Sequence, residues 1–435
     1  MPDNGEGRSG GAVAVIRRAP FSDNPQLGVR GRQTRQRILD AALRAFGEQG
    51  YHDCSIDRIT KLARCSRVSF YQYFAGKEDV FRELAGQVAR QVSASTEALE
   101  SLTPDAAGWA ALRTWVSRYA EIHARYEPVF HAFENDDALA ALARATGAET
   151  LARIHARVAA TSLPPRQLDP AINLLLECVN HTLDVSGILR SAAPDGYPRE
   201  RVEIAITDVL HRTLFGVNAE VNVHPPEGSP APALEPGPEM LDLLRNSDAA
   251  EPDGSGNRAL DALCASACGV FVERGFHATR IDDLVAAAGI SHGAFYRYFP
   301  NKEALGRMLV ARAVRDVRNA VMEIPDLSTC EGSARTSRLR RWLRRYHGAQ
   351  TDEAEMLRVW VDAAVQDPLI RAESAPMLDW GRRRMSRYLQ PRGFGDVDID
   401  AVVIVALLGV FGARKRTPAE IDAAALIIER GLLGH

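Results

Sequence analysis

Residues 42–78 read ALRAFGEQGYHDCSIDRITKLARCSRVSFYQYFAGKE, and residues 267–303 read ACGVFVERGFHATRIDDLVAAAGISHGAFYRYFPNKE. The two stretches align without a gap at a constant offset of 225. Phe46 falls on Phe271, Gly50 on Gly275, Ile56 on Ile281 and Ser66 on Ser291. Phe70-Tyr71 falls on Phe295-Tyr296, Tyr73-Phe74 on Tyr298-Phe299, and Lys77-Glu78 on Lys302-Glu303. A repeat this long fixes the architecture before any element is assigned. The likeness returns further on, where Leu112 to Tyr119 (LRTWVSRY) resembles Leu339 to Tyr346 (LRRWLRRY), so the duplicated object is a set of domains and not a short motif.

Each copy has the periodicity of helices. Ile38, Ala42, Ala45 and Phe46 form one apolar stripe at helical spacing, and Leu263, Ala267, Val270 and Phe271 repeat it. Gly50 and Gly275 stop these helices, being residues that take positive φ without strain. A short helix is expected from Ser55 or Cys54 in the first copy. In the second, Thr279 is expected to cap it in a capping box with Asp282, and the helix to run to about Ala288. After a tight turn, Ser66 and Ser291 are placed to cap the next short helix. Helix, short helix, turn, short helix is the order of a helix-turn-helix unit, and no alternating strand pattern competes with it.

The doubled pattern resembles the TetR/AcrR family of regulators: an Ala-Phe helix, a Gly-Tyr or Gly-Phe stop, a short Ile-containing helix, then Ser-x-x-x-Phe-Tyr-x-Tyr-Phe-x-x-Lys-Glu. The resemblance implies an all-α fold of two tandem TetR-like units. Each would be a helix-turn-helix domain followed by a helical domain for ligand binding and dimerisation. The expected divisions are a disordered tail at 1–28, helix-turn-helix domains at 29–80 and 257–305, helical domains at 81–216 and 306–435, and a Pro/Gly-rich linker at 217–256. The linker contains HPPEGSPAPALEPGP and EPDGSG, a composition that packs poorly.

A recognition helix offers its N-terminal residues to base edges, which points to Arg67, Val68 and Ser69 in the first copy and His292, Gly293 and Ala294 in the second. Tyr71, Tyr73 and Lys77, with Tyr296, Tyr298 and Lys302, alternate with buried Phe residues and are expected to hold phosphates. Ser55 and Thr279, at the start of the preceding helices, and Ser66 and Ser291, at the start of the recognition helices, join the expected DNA contacts. A basic arm before the first unit, Arg30, Arg32, Arg35 and Arg37, has only Arg258 as its counterpart in the second, so the first unit is expected to grip DNA harder. The family's usual glycine in the turn is Gly289 but Arg64, and in the recognition helix Gly293 but Val68.

A net charge of -3 over 435 residues confines any DNA binding to local patches. The six cysteines form no CxxC pair, and no apolar run reaches the roughly 20 residues of a membrane span, so a cytoplasmic protein with reduced thiols and no membrane partner is expected. Gly254 to Ala259 imitates a dinucleotide fingerprint but follows no strand, and no HExxH, Walker or Gly-x-Ser-x-Gly motif occurs. No enzyme is expected. His123, His131, His181 and His347 lack metal-ligand spacing and read as solvated or pocket groups, so neither metal nor cofactor is expected. Trp109, Trp115, Phe130, Phe133, Trp342 and Trp360 read as core more readily than as a pocket. The partners implied are a double-stranded DNA operator and an unknown small-molecule effector, with the chain acting as a ligand-responsive repressor. A helical scaffold that has lost DNA binding is the alternative. A flexible linker of this length reaches roughly 35 Å, which favours pairing of the halves within one chain over a homodimer. The apolar helices for that pairing are Ile172 to Leu189, Val202 to Phe215, Ile399 to Phe411 and Ile421 to Leu433.

Overall fold

The computed structural model describes residues 28–218, 220–221, 230–237 and 258–435, apart from 52–53, 132–136, 160, 328–329, 331, 349–351 and 413–414. The expected tail, save Gly28, and much of the linker lie outside these residues, as does Phe133. Among the described residues every regular element is a helix, with one isolated β-bridge between Leu102 and Val158. None of the helices is long and apolar enough to cross a membrane.

The first half runs α1 (Val29–Gln49), α2 (Ile56–Ala63), α3 (Arg67–Tyr73), α4 (Lys77–Glu97), α5 (Ala106–Arg125), α6 (Glu127–Phe130), α7 (Asp137–Arg157), α8 (Pro165–Ala192) and α9 (Arg199–Phe215). The second runs α10 (Arg258–Arg274), α11 (Ile281–Ala288), α12 (His292–Tyr298), α13 (Lys302–Met322), α14 (Gly332–Gly348), α15 (Asp352–Gln366), α16 (Pro368–Leu389), α17 (Val397–Gly412) and α18 (Pro418–Leu426), which continues as a π-helix over Ile427–Leu432. The sequence stripes face the core as expected. Ile38, Ala42, Ala45 and Phe46 are buried on α1, and Leu263, Ala267 and Phe271 on α10. Gly50 and Gly275 end these helices at φ 74° and 76°. The divisions expected at 80 and 305 fall inside α4 and α13, so each helix-turn-helix unit is joined to its helical domain by a continuous helix and not by a hinge.

The two halves meet in one bundle of α8, α9, α17 and α18, the four helices whose apolar runs suggested pairing. The pairing is intramolecular. Its faces are close-packed: a Cβ on Gly431 would stand 2.3 Å from the Thr213 hydroxyl, and one on Gly409 would stand 2.8 Å from His181 Nε2. Only glycine allows these helices to approach so closely. Cys178 lies in this seam with its thiol 3.6 Å from the Val403 carbonyl, and burial pushes its pKa up to about 12, which leaves it unreactive.

Charges are buried with the apolar faces. Fully buried Arg212 donates to Asp400 (2.8 Å) and to the Gly431 carbonyl (2.7 Å), so one guanidinium of the first half is neutralised and satisfied by the second. Arg392 shares Asp400, and the Phe394 ring lies against both guanidiniums at 5.3 and 4.7 Å. Arg201 of α9 holds Asp396, and Arg416 reaches Glu177 of α8 at 3.0 Å.

Part of the linker is also fixed, contrary to the expectation that it does not pack. In residues 230–237, the Leu234 amide donates to Asp379 (2.9 Å) and the Ala231 amide to Asp398 (3.2 Å), carboxylates that also hold Arg382. The proline-rich chain pairs two of its amides with carboxylates of α16 and α17, which composition alone does not announce. Because Asp400 is the common partner of two buried cations, Asp400→Ala is expected to cost about 3–5 kcal/mol of stability, read as a lowered midpoint in urea unfolding.

Candidate nucleic-acid interface and effector cavity

Each helix-turn-helix unit is built by its caps. Ser55 accepts from the Arg58 amide (3.2 Å), Ser66 from Ser69 (3.0 Å) and Ser291 from Ala294 (3.2 Å), so these hydroxyls start the helices as expected. Thr279 departs from expectation. It is 1% exposed and donates to the Gly275 carbonyl, so it is a core residue and not a cap or a DNA contact. The cap position is Arg280, whose amide donates to the Asp283 carboxylate at 2.9 Å.

The turns differ between the copies. Gly289 takes the left-handed conformation at φ 65°, and Arg64 takes it at φ 52°, where a Cβ is strained. The sequence flagged the substitution; the structure adds that the turn keeps its shape in spite of it.

At the recognition helices, Arg67 and Val68 are exposed, Val68 at 72%, and so are His292 and Gly293; Ser69 and Ala294 are half-buried. Arg67 pairs with Asp57 at 2.8 Å, and His292 with Asp282 at 2.6 Å. These are the same two positions in the repeat, so each of the two side chains is held by an acid one helix earlier. Asp57 was missed in the sequence and Asp282 was read there as half of a capping box, although the constant offset aligns the two acids. Both pairs are exposed, and such pairs are worth roughly 0–1 kcal/mol, small enough for DNA to displace.

Tyr71 and Tyr296 are exposed, whereas Tyr73 and Tyr298 are half-buried against the core. Phe70, Phe74, Phe295 and Phe299 anchor the helices inward as expected. The lysines require a correction. Lys302 donates to the carbonyls of Phe276 (2.9 Å), His277 (3.0 Å) and Thr279 (3.0 Å), and Lys77 to those of Tyr51 (3.0 Å) and Cys54 (3.4 Å). An ammonium has three donors, and Lys302 uses all of them on the loop before α11. Both are therefore clamps of the fold, in place of the phosphate contacts expected of them. Arg35 is similarly engaged, with Glu83 at 3.1 Å and the Phe74 ring at 5.3 Å. The basic arm is in fact the opening turns of α1, on which Arg30, Arg32 and Arg37 are exposed.

The second half contains a cavity of about 140 Å³ walled by Val314, Val317, Leu357, Trp360, Met377 and Trp380, with His181 and Arg358 as polar groups. That is about the size of an engineered cavity of roughly 150 Å³ that holds benzene. His181 comes from α8 of the first half, so the wall is completed across the pairing bundle. Trp360 also packs edge-on against Phe276 of the second helix-turn-helix unit at 5.1 Å. Beside the cavity, burial opposes charge on His131, but Asp184 and Asp362 outweigh it and hold its pKa well above the ordinary value. Burial would raise the Asp184 pKa, yet His131 and His123 hold it well below the usual carboxylate range.

Two helix-turn-helix heads on one intramolecularly paired helical frame define an all-α protein. Residues 38–84 and 263–307 each match the family described as "Bacterial regulatory proteins, tetR family". Two segments of the chain thus carry the N-terminal domain described for this family. It is 39% identical over 70 residues to the uncharacterized HTH-type transcriptional regulator YdgC of Bacillus subtilis (strain 168), covering 16% of this chain and 36% of that protein. It is 44% identical over 52 residues to the HTH-type transcriptional regulator AcrR of Shigella flexneri, covering 12% and 24%. It is 31% identical over 107 residues to the HTH-type transcriptional repressor AcnR of Corynebacterium glutamicum, covering 23% and 55%. The matches thus span from about a quarter to about half of these relatives. Among solved structures, the Flavonoid-responsive Regulator FrrA aligns with 41% of this chain and 94% of its own at 25% identity, with a TM-score of 0.27, too loose to bear on the architecture. Because Arg64 occupies a glycine conformation, Arg64→Gly is expected to stabilise the protein by up to about 1 kcal/mol in thermal unfolding, and Gly289→Arg to destabilise it by a similar amount.

Proposed function

We propose that the chain is a ligand-responsive transcription regulator, acting as a repressor, that binds one operator as an intramolecular pseudo-dimer. The observation that carries this reading is the pairing of α8 and α9 with α17 and α18 inside a single chain, which gives one frame two reading helices. In this reading Arg67 addresses a guanine edge in one half-site, while His292 and Gly293 address the other. Exposed Tyr71 and Tyr296, with Arg30 and Arg32 near the first unit, meet phosphates. Since the reading residues of the two heads are chemically unlike, the operator consists of two dissimilar half-sites.

The effector in this reading is a small, largely apolar molecule that enters the cavity of the second half. Trp360 is both cavity wall and the ring against which Phe276 packs, and the Phe276 carbonyl holds Lys302. A ligand that displaces Trp360 therefore acts first on the second head. The arrangement supports unequal responses of the two heads, because Trp360 and Phe276 share one apolar cluster with the second helix-turn-helix unit.

Fluorescence anisotropy with DNA from upstream of the gene is expected to give salt-sensitive binding by a particle of one-chain mass in light scattering, with footprints on two unlike half-sites. A two-chain mass on a symmetric operator would refute the pseudo-dimer, and absence of salt-sensitive binding would refute DNA recognition. Arg67→Ala should cost roughly 1–3 kcal/mol and relax preference at one base position of one half-site only, as read from a panel of single-base operator variants. An unchanged preference would remove Arg67 from base reading.

A further inference from the structure

The geometry points to a binding site for a divalent transition-metal ion formed by His123, His131 and Asp184. The three come from separate elements: His123 from α5, His131 from just after α6, and Asp184 from α8. Their ligand atoms all lie within 4.8 Å of one another, and among the described residues no other group of histidines, cysteines and carboxylates converges in this way. His123 Nε2 stands 3.2 Å from Asp184 Oδ1, and His131 Nε2 stands 3.1 Å from the same oxygen. With metal–ligand bonds near 2.0–2.2 Å, neighbouring ligands on one ion sit roughly 3.0–3.5 Å apart. The two separations from Asp184 fall in that interval.

Two features point to an ion and not only to a packed polar cluster. His123 Nε2 is buried with no hydrogen-bond partner, although the Asp184 oxygen is close, so the nitrogen and the carboxylate converge without being aligned on each other. Buried polar atoms are normally hydrogen-bonded, and an exception calls for a cause. In addition, His131 turns its other nitrogen, Nδ1, toward Asp362 Oδ1 at 3.6 Å. A histidine that ligates through one nitrogen characteristically donates from the other to a carboxylate, which fixes its tautomer and strengthens it as a ligand. Asp362 is the positioning residue here, and it belongs to α15 of the second half. Its other oxygen lies 3.8 Å from Arg358, which lines the cavity.

Two imidazoles and one carboxylate suit ions of borderline hardness such as zinc, cobalt, nickel or ferrous iron, and disfavour magnesium and calcium, which take oxygen ligands. Three protein ligands leave further positions for water or an exchangeable ligand. On binding, His131 gives up its Nε2 proton to solvent and keeps the Nδ1 proton facing Asp362. The ion thereby ties α5 and α8 of the first half to α15 of the second, beside the cavity. The inference does not depend on whether the chain binds DNA.

The test is titration of metal-stripped full-length protein with Co(II), followed by its visible d–d absorption. One equivalent per chain is expected to bind, without the near-ultraviolet band of thiolate ligation. Zn(II) should displace it, and excess Mg(II) should not. His123→Gln and Asp184→Asn are each expected to weaken binding at least about 100-fold, and Asp362→Asn about 10–100-fold. Circular dichroism and thermal unfolding of each variant report folding. Should Asp184→Asn misfold, His123→Gln decides, because the only close polar contact of that nitrogen is the Asp184 carboxylate of the site itself. No saturable binding, a thiolate band, or binding unchanged in His123→Gln would overturn the site.

Discussion

The structure depends on the burial of Arg212 against Asp400 and the Gly431 carbonyl at the seam between the halves. A guanidinium cannot be taken out of water unless it is neutralised and its donors are filled; Asp208 of its own helix lies 3.7 Å away, and the closer contacts come only from the second half. Apolar pairing of α8 and α9 with α17 and α18 supplies the area, and the charge pairs fix which register is acceptable. Separated, each half would carry an uncovered apolar face and would lose its closest charge partners. The duplication has therefore yielded one folded frame and not two independent regulators on a string.

Duplication also freed the copies to differ. The first helix-turn-helix core is continuous with the pairing bundle, whereas the second forms its own cluster with Trp360, Met356 and Ile188. The first unit pairs an arginine with Asp57 and holds a strained Arg64 turn; the second pairs a histidine with Asp282 and keeps the glycine turn. Likewise the cavity lies in the second half, while His123, His131 and Asp184 lie in the first. Exposed ion pairs, backbone strain, cavity and histidine cluster are thus distributed unevenly over a frame of common origin.

The cavity and the histidine cluster share two helical turns. On α8, His181 faces the cavity and Asp184 the cluster; on α15, Arg358 lines the cavity and Asp362 faces His131. Residues three and four apart lie on one helical face, so occupancy of either place bears on the same two helices. Those helices belong to opposite halves, which makes their contact a physical link between the first half and the head carried by the second.

Local sequence determined much of this protein. The repeat, the Gly50 and Gly275 stops, the Ser55, Ser66 and Ser291 caps and the inward Phe residues all express backbone preferences within a few residues, and they are legible without partners. The four pairing helices were legible too, because an apolar run of that length must find a cover. Tertiary structure alone decided the rest. Lys77 and Lys302 read as outward charges until carbonyls 23 to 26 residues upstream claimed them, and Thr279 read as a cap until its hydroxyl was buried. Arg35 was drawn to Glu83 across two helices, and the strap at 230–237 to carboxylates more than a hundred residues away. His123, His131 and Asp184 have no motif spacing, since they approach one another from three elements whose packing no local pattern encodes. A side chain's type is set by its codon, but its partner is set by which helices the core brings together.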